Sequence, residues 1–208
     1  MQTSPTPQAA PQITHEYILV VQRTLLFAQT PAWDGLNSSV FTQFAANVCA
    51  HKEFILRASA ETDPTYKQII PYMIFTVNNK IFVMQRKKEA SEQRLASKMS
   101  IGIGGHIRQE DMQTDDIADW GKREFEEEIN YSGTLTFQPL GILNDDSNEV
   151  GLVHIGFVYV VYGDSESISI KDEHKSGALY SLAECEAIFE NMESWSKVCF
   201  TALKQKLS

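Results

Sequence analysis

One strong helix pattern lies in the middle of the chain, between runs of residues typical of strands, and it constrains the fold more than any other feature. The helix pattern spans Asp115–Ile129. Before it, Ile70–Val77 and Lys80–Arg86 flank the pair Asn78-Asn79, which predicts a β-hairpin because asparagine tolerates the positive φ of a two-residue turn. Strand patterns outnumber helix patterns. We therefore predict an α/β (α+β) sandwich, a mixed β-sheet flanked by helices, rather than a doubly wound parallel fold.

The length of the chain, 208 residues, is that of one domain with a short appendage. The first twelve residues, 1–12, contain three of the seven prolines and are expected to be a disordered leader. Residues 13–208 are expected to form a single domain. It is predicted to end in a long helix over about 184–207, where apolar residues recur at helical spacing.

Charge and cysteine content exclude several classes of protein. The formal net charge is −9, so general binding to nucleic acid or to an anionic membrane surface is not expected. An anionic substrate would then need a divalent cation as mediator. The three cysteines show no paired spacing, and no signal peptide or membrane-spanning run is found. These features predict a cytoplasmic protein with reduced thiols.

Three carboxylates lie on one face of the central helix. At 100° per residue, Glu124, Glu127 and Glu128 fall within roughly 100° of arc. Carboxylates placed side by side repel one another, and a divalent cation removes that conflict; Mg²⁺, or alternatively Mn²⁺, suits oxygen ligands. Arg123 lies one turn from Glu127 and can fix its orientation. The alternative interpretation is an ordinary acidic face exposed to solvent.

The loop that precedes this helix carries Gly104-Gly105, a pair that lets the backbone approach a ligand closely. The segment 104–131 resembles the Nudix box, in which Gly, five residues, Glu and seven residues precede R-E-U-x-E-E-x-G-U, where U is bulky and apolar. Arg123-Glu124 match R-E, and Glu127-Glu128 match E-E. Asn130 stands where the box has glycine, and asparagine also tolerates the end of a helix.

The first half of the box permits two alignments. Gly105 as the box glycine places Asp111 at the position of the early glutamate, with four inserted residues before Arg123. Gly104 as the box glycine places Glu110 there instead, with five inserted residues. Both alignments remain open from the sequence. We expect the inserted acidic loop between Gln109 and Thr114 to tolerate substitution better than the helix does.

The resemblance implies a Nudix-type sheet, an enzyme and a set of metal ligands. Glu124, Glu127 and Glu128 would bind Mg²⁺ together with the Gly105 carbonyl, and Glu124 would either bind a second ion or help to deprotonate water. Arg123 would belong to the same catalytic group. The similarity to a subgroup described as phosphoesterases of unknown substrate implies hydrolysis of a diphosphate linkage in a nucleoside diphosphate linked to another moiety.

Further candidates come from loops and strand ends. Glu173 and Asp111 are candidates for an additional acidic ligand or base. His106 and Arg86 are weak candidates for substrate contacts. His154 begins an apolar strand pattern, and we interpret it as a core histidine rather than a ligand.

A binding module that senses a nucleotide without cleaving it is the alternative function. The retained R-E-x-x-E-E motif favours the enzyme, which would act on a small-molecule diphosphate. A diphosphate isomerase is a third interpretation, but Cys49, Cys185 and Cys199 lie far from the motif in sequence. The sequence leaves a homodimer open.

Overall fold

A mixed β-sheet forms the centre of the protein in the computed structural model, which describes residues 16–86, 98–171 and 175–207. The strands are β1 (Tyr17–Gln22), β2 (Gly35–Asn37), β3 (Glu53–Leu56), β4 (Tyr66–Val77), β5 (Lys80–Arg86), β6 (Met99–Ser100), β7 (Ile129–Asn130), β8 (Leu135–Asn144), β9 (His154–Gly163), β10 (Ser169–Ile170) and β11 (Lys175–Ser181). The predicted leader, 1–12, lies outside the described residues.

Helices flank this sheet. They are α1 (Arg23–Leu26), α2 (Phe41–His51), α3 (Arg57–Ala60), α4 (Ile117–Trp120), α5 (Lys122–Glu128), α6 (Glu149–Val153), α7 (Leu182–Ala187) and α8 (Ser194–Leu207). Short 3-10 turns cover Gln109–Asp111 and Phe189–Asn191. Across the described ranges, no helix combines the length and apolar character that crossing a bilayer requires.

The main sheet is mixed, as predicted. Its path runs β11-β5-β4-β9-β8-β2, while β1 pairs with β3 and β4, and β6 pairs with β5. The central pair β4 and β9 is parallel, with Gln68 opposite His154, and the pairs beside it are antiparallel. The predicted hairpin joins β4 to β5, and Asn78 and Asn79 have φ of 49° and 58°. Both the fold class and the hairpin are confirmed.

Apolar side chains cover both faces of the sheet, because successive residues of a strand point to opposite sides. On β4, Met73 and Phe75 pack on the face that α2, α4 and α5 cover, together with Trp120 and Phe125. Ile74, from the same strand, packs on the opposite face against α7 and α8. Burial on both sides explains the nearly continuous apolar run of β4.

The central helix is interrupted, in contrast to the single helix predicted over Asp115–Ile129. It divides into α4 and α5 at Gly121. A Cβ added to Gly121 would lie 2.7 Å from the Cβ of Pro71, so the glycine allows α4–α5 to pack closely on β4. The Asp116 side chain accepts a hydrogen bond from the Ala118 amide and caps α4.

The single C-terminal helix predicted over about 184–207 is wrong in its continuity. The structure has α7, a 3-10 turn and then α8. The interruption has a tertiary cause, because the Glu193 amide donates to the Met99 carbonyl at 3.0 Å and Met192 bridges to Met99. The Glu193 carboxylate is buried and accepts a hydrogen bond from the Ser100 hydroxyl at 2.6 Å. These contacts lie about 90 residues away in sequence and leave no local signal.

One buried lysine ties the start of β4 to the loop before β9. Lys67 is fully buried, and its Nζ donates to Asp146 Oδ1 at 2.7 Å and to the Gly151 carbonyl at 2.7 Å. Arg23 also contacts the Asp146 carboxylate. Burial raises the pKa of Asp146, but the hydrogen bonds from Arg23 and Lys67 outweigh it and hold that pKa well below its usual range. The carboxylate is therefore ionised in the folded protein.

We predict that Asp146→Asn lowers the free energy of unfolding by roughly 2–4 kcal/mol, because the buried Lys67 charge loses its partner. Chemical denaturation at neutral pH measures the loss. Because the folded pKa of Asp146 lies below the unfolded one, its contribution is present above about pH 4 and declines as the pH falls further. The stability difference between wild type and variant should therefore shrink in acid.

The matched control is Asp115→Asn. The Asp115 side chain is 89% exposed and lies 3.6 Å from Lys52 Nζ, so this substitution should leave the midpoint of denaturation nearly unchanged. Equal effects of the two substitutions would contradict the role assigned to the buried pair.

Candidate active site

Two glycines bring the loop after β6 close to the central strand and to α5. The Ile103 and Met73 backbones exchange hydrogen bonds of 2.8 and 2.9 Å, which fix the loop on β4. A Cβ added to Gly104 would lie 2.2 Å from the Pro71 carbonyl oxygen. A Cβ added to Gly105 would lie 2.4 Å from Glu124 Oε2. The loop backbone and the Glu124 carboxylate are therefore adjacent only because residue 105 has no side chain.

The Arg123 guanidinium connects the loop to the helix. Its Nε and Nη2 donate to the two oxygens of Asp111 at 2.6 and 2.9 Å, and Nη2 also donates to the His106 carbonyl at 3.0 Å. Its Nη1 donates to Glu127 Oε2 at 2.8 Å, and Glu124 Oε1 lies 2.7 Å from Nη2. A bidentate pair with a carboxylate fixes the plane of the guanidinium.

Asp111, rather than Glu110, faces Arg123, which fits the alignment that takes Gly105 as the box glycine. The Asp111 side chain is only 3% exposed and also accepts a hydrogen bond from the Arg108 amide at 2.7 Å. Glu110 is exposed. We expected the inserted acidic loop between Gln109 and Thr114 to tolerate substitution better than the helix does. The nearly buried ion pair of Asp111 with Arg123 conflicts with that expectation at position 111. Spacing alone did not predict this pairing, because the four inserted residues lengthen the stretch between Asp111 and Arg123.

Glu124, Glu127 and Glu128 all belong to α5, while Phe125 packs into the core. The side chains of Glu124 and Glu127 are 16% and 54% exposed, and Glu128 is partly exposed. Burial raises the pKa of Glu124, the Arg123 charge opposes the rise, and the neighbouring Glu127 and Glu128 charges add to it. These carboxylates offer oxygen ligands of the kind that Mg²⁺ prefers.

Of the remaining candidate residues His106, Arg86 and Glu173, only His106 has a described side chain. The His106 ring points away from Arg123, and its Nε2 lies 2.7 Å from Gln68 Oε1 and 3.4 Å from His154 Nε2. Glu61 Oε1 lies 3.9 Å from the same His106 atom. The backbone of Arg86 belongs to β5, but its side chain lies outside the described residues, as does Glu173. Sequence reasoning did not identify Glu61 and Gln68, because only the fold brings them beside His106.

The three cysteines are free thiols. Cys185 and Cys199 are buried, and Cys49 is partly exposed. Burial raises the pKa of the Cys185 thiol to about 12. Such a thiol stays protonated and is a poor nucleophile at neutral pH.

Comparison with known proteins identifies one related sequence and several similar structures. The scan against family models gave no match. Protein YmaB of Bacillus subtilis (strain 168) is 30% identical over 198 residues, which cover 88% of this chain and 94% of that protein. The crystal structure of Tm1382, assigned provisionally to the Nudix hydrolases, superposes with a TM-score of 0.80 at 28% identity, covering 92% of this chain and 100% of that one.

A more distant structure shares the fold. The NUDIX domain of Shewanella oneidensis NrtR, crystallised with ADP ribose, has a TM-score of 0.53 at 12% identity. The match covers 68% of this chain and 89% of that one. At this identity the likeness concerns the fold alone.

We predict that Asp111→Ala lowers the free energy of unfolding by roughly 2–3 kcal/mol, because Arg123 loses its bidentate partner in a half-buried position. The rise in melting temperature on adding Mg²⁺ should also shrink, since Arg123 no longer holds Glu124 and Glu127 in place. Thermal denaturation with and without Mg²⁺ measures both effects. Glu110→Ala, one residue earlier and exposed, is the control and should behave like wild type. Similar behaviour of the two variants would mean that Arg123 does not depend on Asp111.

Proposed function

This chain belongs to the Nudix hydrolase family, and from that membership we propose that it hydrolyses a diphosphate linkage with the help of a divalent cation. The substrate class is a nucleoside diphosphate linked to another moiety, or a similar organic pyrophosphate. The observation that carries the proposal is the arrangement around Arg123, whose guanidinium contacts Asp111, Glu124 and Glu127 together. An acidic helix face exposed to solvent would not need a fixed arginine behind it.

The donor atoms fit Mg²⁺, or alternatively Mn²⁺. Glu124, Glu127 and Glu128 offer carboxylate oxygens on one side, and the Gly105 backbone lies against Glu124 with no side chain between them. A hard cation that prefers oxygen ligands suits this set. When bound, such a cation compensates the charge of the diphosphate oxygens and makes water more acidic. It also relieves the repulsion among the three carboxylates.

The residues of the chain have separable roles in this proposal. Arg123 orients Glu127 through Nη1 and holds the loop through the His106 carbonyl. Glu124, half buried and with a raised pKa, is either a ligand or the group that accepts the proton of the attacking water at Oε2. Asp111 fixes Arg123 from behind and is a positioning residue.

The negative charge of the protein limits how it can recruit an anionic substrate. With a net charge of −9, long-range attraction does not recruit a polyphosphate, so a bound cation and short-range contacts must do so. ADP ribose, the compound present in the NrtR domain crystal, belongs to the proposed class and is a suitable first probe. The free thiols agree with the cytoplasmic location that we propose.

A nucleotide-sensing module without turnover is the alternative. It needs the fold and a ligand pocket, but it does not need three carboxylates held by one arginine. A screen of diphosphate compounds with Mg²⁺ or Mn²⁺ separates the two, because phosphate released by a coupled phosphatase reports cleavage. Binding without release in every compound that binds would favour the sensor.

We predict that Glu127→Gln lowers turnover on an identified substrate by roughly 100-fold or more, because the amide removes a charge that acts mainly in the transition state. The stability of the metal-free protein should hold steady or rise, since one repulsive charge has gone. Initial rates at saturating substrate and thermal denaturation measure the two quantities.

Glu126→Gln is the matched control, since Glu126 lies on the same helix, is exposed and points away from the predicted face. It should retain wild-type turnover. Excess EDTA should abolish turnover of the wild type. Full activity in EDTA, or wild-type turnover by the Glu127→Gln protein, would contradict a metal-dependent mechanism on this helix.

A further inference from the structure

Three side chains that lie far apart in the sequence meet beside the loop that follows β6. They are Glu61, just after α3, His106, directly after Gly105, and His154, the first residue of β9. We propose that these three form a second metal site, selective for a transition-metal ion of the zinc type and distinct from the carboxylate site on α5. This site goes beyond the proposed hydrolysis and does not depend on it.

The distances suit a tetrahedral ion. His106 Nε2 and His154 Nε2 are 3.4 Å apart, Glu61 Oε1 is 3.9 Å from His106 Nε2, and one ligand atom from each residue lies within 4.8 Å of the others. Two imidazole nitrogens, each 2.0–2.1 Å from a tetrahedral Zn²⁺, stand about 3.3 Å apart. The two histidines already have nearly this separation, so binding requires little movement of the backbone.

The ring of His154 is oriented as a metal ligand. Its Nδ1 lies 2.7 Å from the Val150 carbonyl oxygen, and because a carbonyl only accepts, Nδ1 carries the proton. In the neutral ring, Nε2 therefore presents its lone pair toward His106. A hydrogen bond from the distal nitrogen to a carbonyl is the usual way in which proteins fix a histidine ligand.

His106 faces the same space as His154. Its side chain is 13% exposed, and its Nε2 lies 2.7 Å from Gln68 Oε1. Neutral imidazole is the form that binds metals. Because an amide oxygen only accepts, His106 Nε2 carries the proton in the metal-free protein. Coordination through Nε2 therefore moves that proton to Nδ1 and replaces the hydrogen bond to Gln68.

Gln68 adds an amide beside the two rings. Its side chain is fully buried, Oε1 lies 2.7 Å from His106 Nε2, and its Nε2 finds no hydrogen-bond acceptor among the described residues. Oε1 accepts from His106 Nε2 in the metal-free protein, and it becomes available as a fourth, oxygen ligand once His106 Nε2 gives up its proton.

The donor types distinguish this site from the one on α5. Two imidazoles and one carboxylate suit Zn²⁺, Co²⁺ or Ni²⁺, whereas Mg²⁺ prefers oxygen ligands alone. The two sites meet at His106, whose carbonyl accepts from Arg123 while its ring faces His154. A metal ion bound here would cross-link α3, the glycine loop and β9, and would hold the Gly105 backbone against Glu124.

Isothermal titration with Zn²⁺ in a large excess of Mg²⁺ tests the proposal without any substrate. The wild type should bind one equivalent of Zn²⁺, and Co²⁺ in its place should give the visible absorption of a tetrahedral site. His106→Gln and His154→Gln should each weaken Zn²⁺ binding at least 100-fold. Glu61→Gln, at a partly exposed position where folding is not at risk, should weaken it at least tenfold.

Two control variants keep the assignment specific. His51→Gln removes an exposed histidine at the end of α2, and Glu127→Gln removes a carboxylate from α5; both should bind Zn²⁺ as the wild type does. The proposal is overturned if the wild type binds no Zn²⁺ in the presence of Mg²⁺. It is also overturned if Glu61→Gln and the two buried-histidine variants bind as the wild type does, or if Glu127→Gln abolishes the binding.

Discussion

The Arg123 guanidinium is the point on which the candidate site depends. Its five N–H groups lie in one plane, and the bidentate pair with the nearly buried Asp111 fixes that plane. The remaining donors then point in set directions, one on Nη2 to the His106 carbonyl and one on Nη1 to Glu127, while Glu124 lies 2.7 Å from Nη2 as an ion-pair partner. A lysine could balance the same charge but could not fix these directions, because its ammonium is a point charge on a flexible stem. The glycine loop and the acidic helix therefore keep a constant separation.

The parallel pair of β4 and β9 places both candidate metal sites on the same framework. Pairing of Gln68 on β4 with His154 on β9 places both residues beside His106. A few residues further along β4, Met73 holds the glycine loop through hydrogen bonds to Ile103. Each position is buried in a sheet that is covered on both faces, so neither site can move without disturbing the core. Local sequence near any one of these residues would not reveal the arrangement, because the parallel register brings together positions about 86 residues apart.

Features with local causes could be predicted from the sequence, and features with distant causes could not. The turn at Asn78-Asn79 follows from the conformations that asparagine tolerates, and the acidic face follows from helix periodicity. The C-terminal helix is interrupted where Glu193 is drawn to Ser100, a contact with no local signal. Asp111 occupies the early acidic position of the box in one of the two alignments, but only the fold shows that it pairs with Arg123. His154 was interpreted as a core histidine, and its burial fits that view, but its ring also faces His106 and Glu61.

The two proposed sites would let one acidic chain use different cations for different purposes. Carboxylates attract any divalent ion, and selectivity then depends on size and on the cost of removing water. Imidazoles add a preference for borderline metals that oxygen ligands lack. His154 is buried and His106 is 13% exposed, so an ion bound between them would be largely shielded from water. At the proposed site on α5, the Glu127 side chain is 54% exposed, so an ion there would exchange more easily. The two proposed sites thus differ in exposure as well as in donor type, because α5 presents Glu127 to solvent whereas His154 begins a buried strand of the sheet.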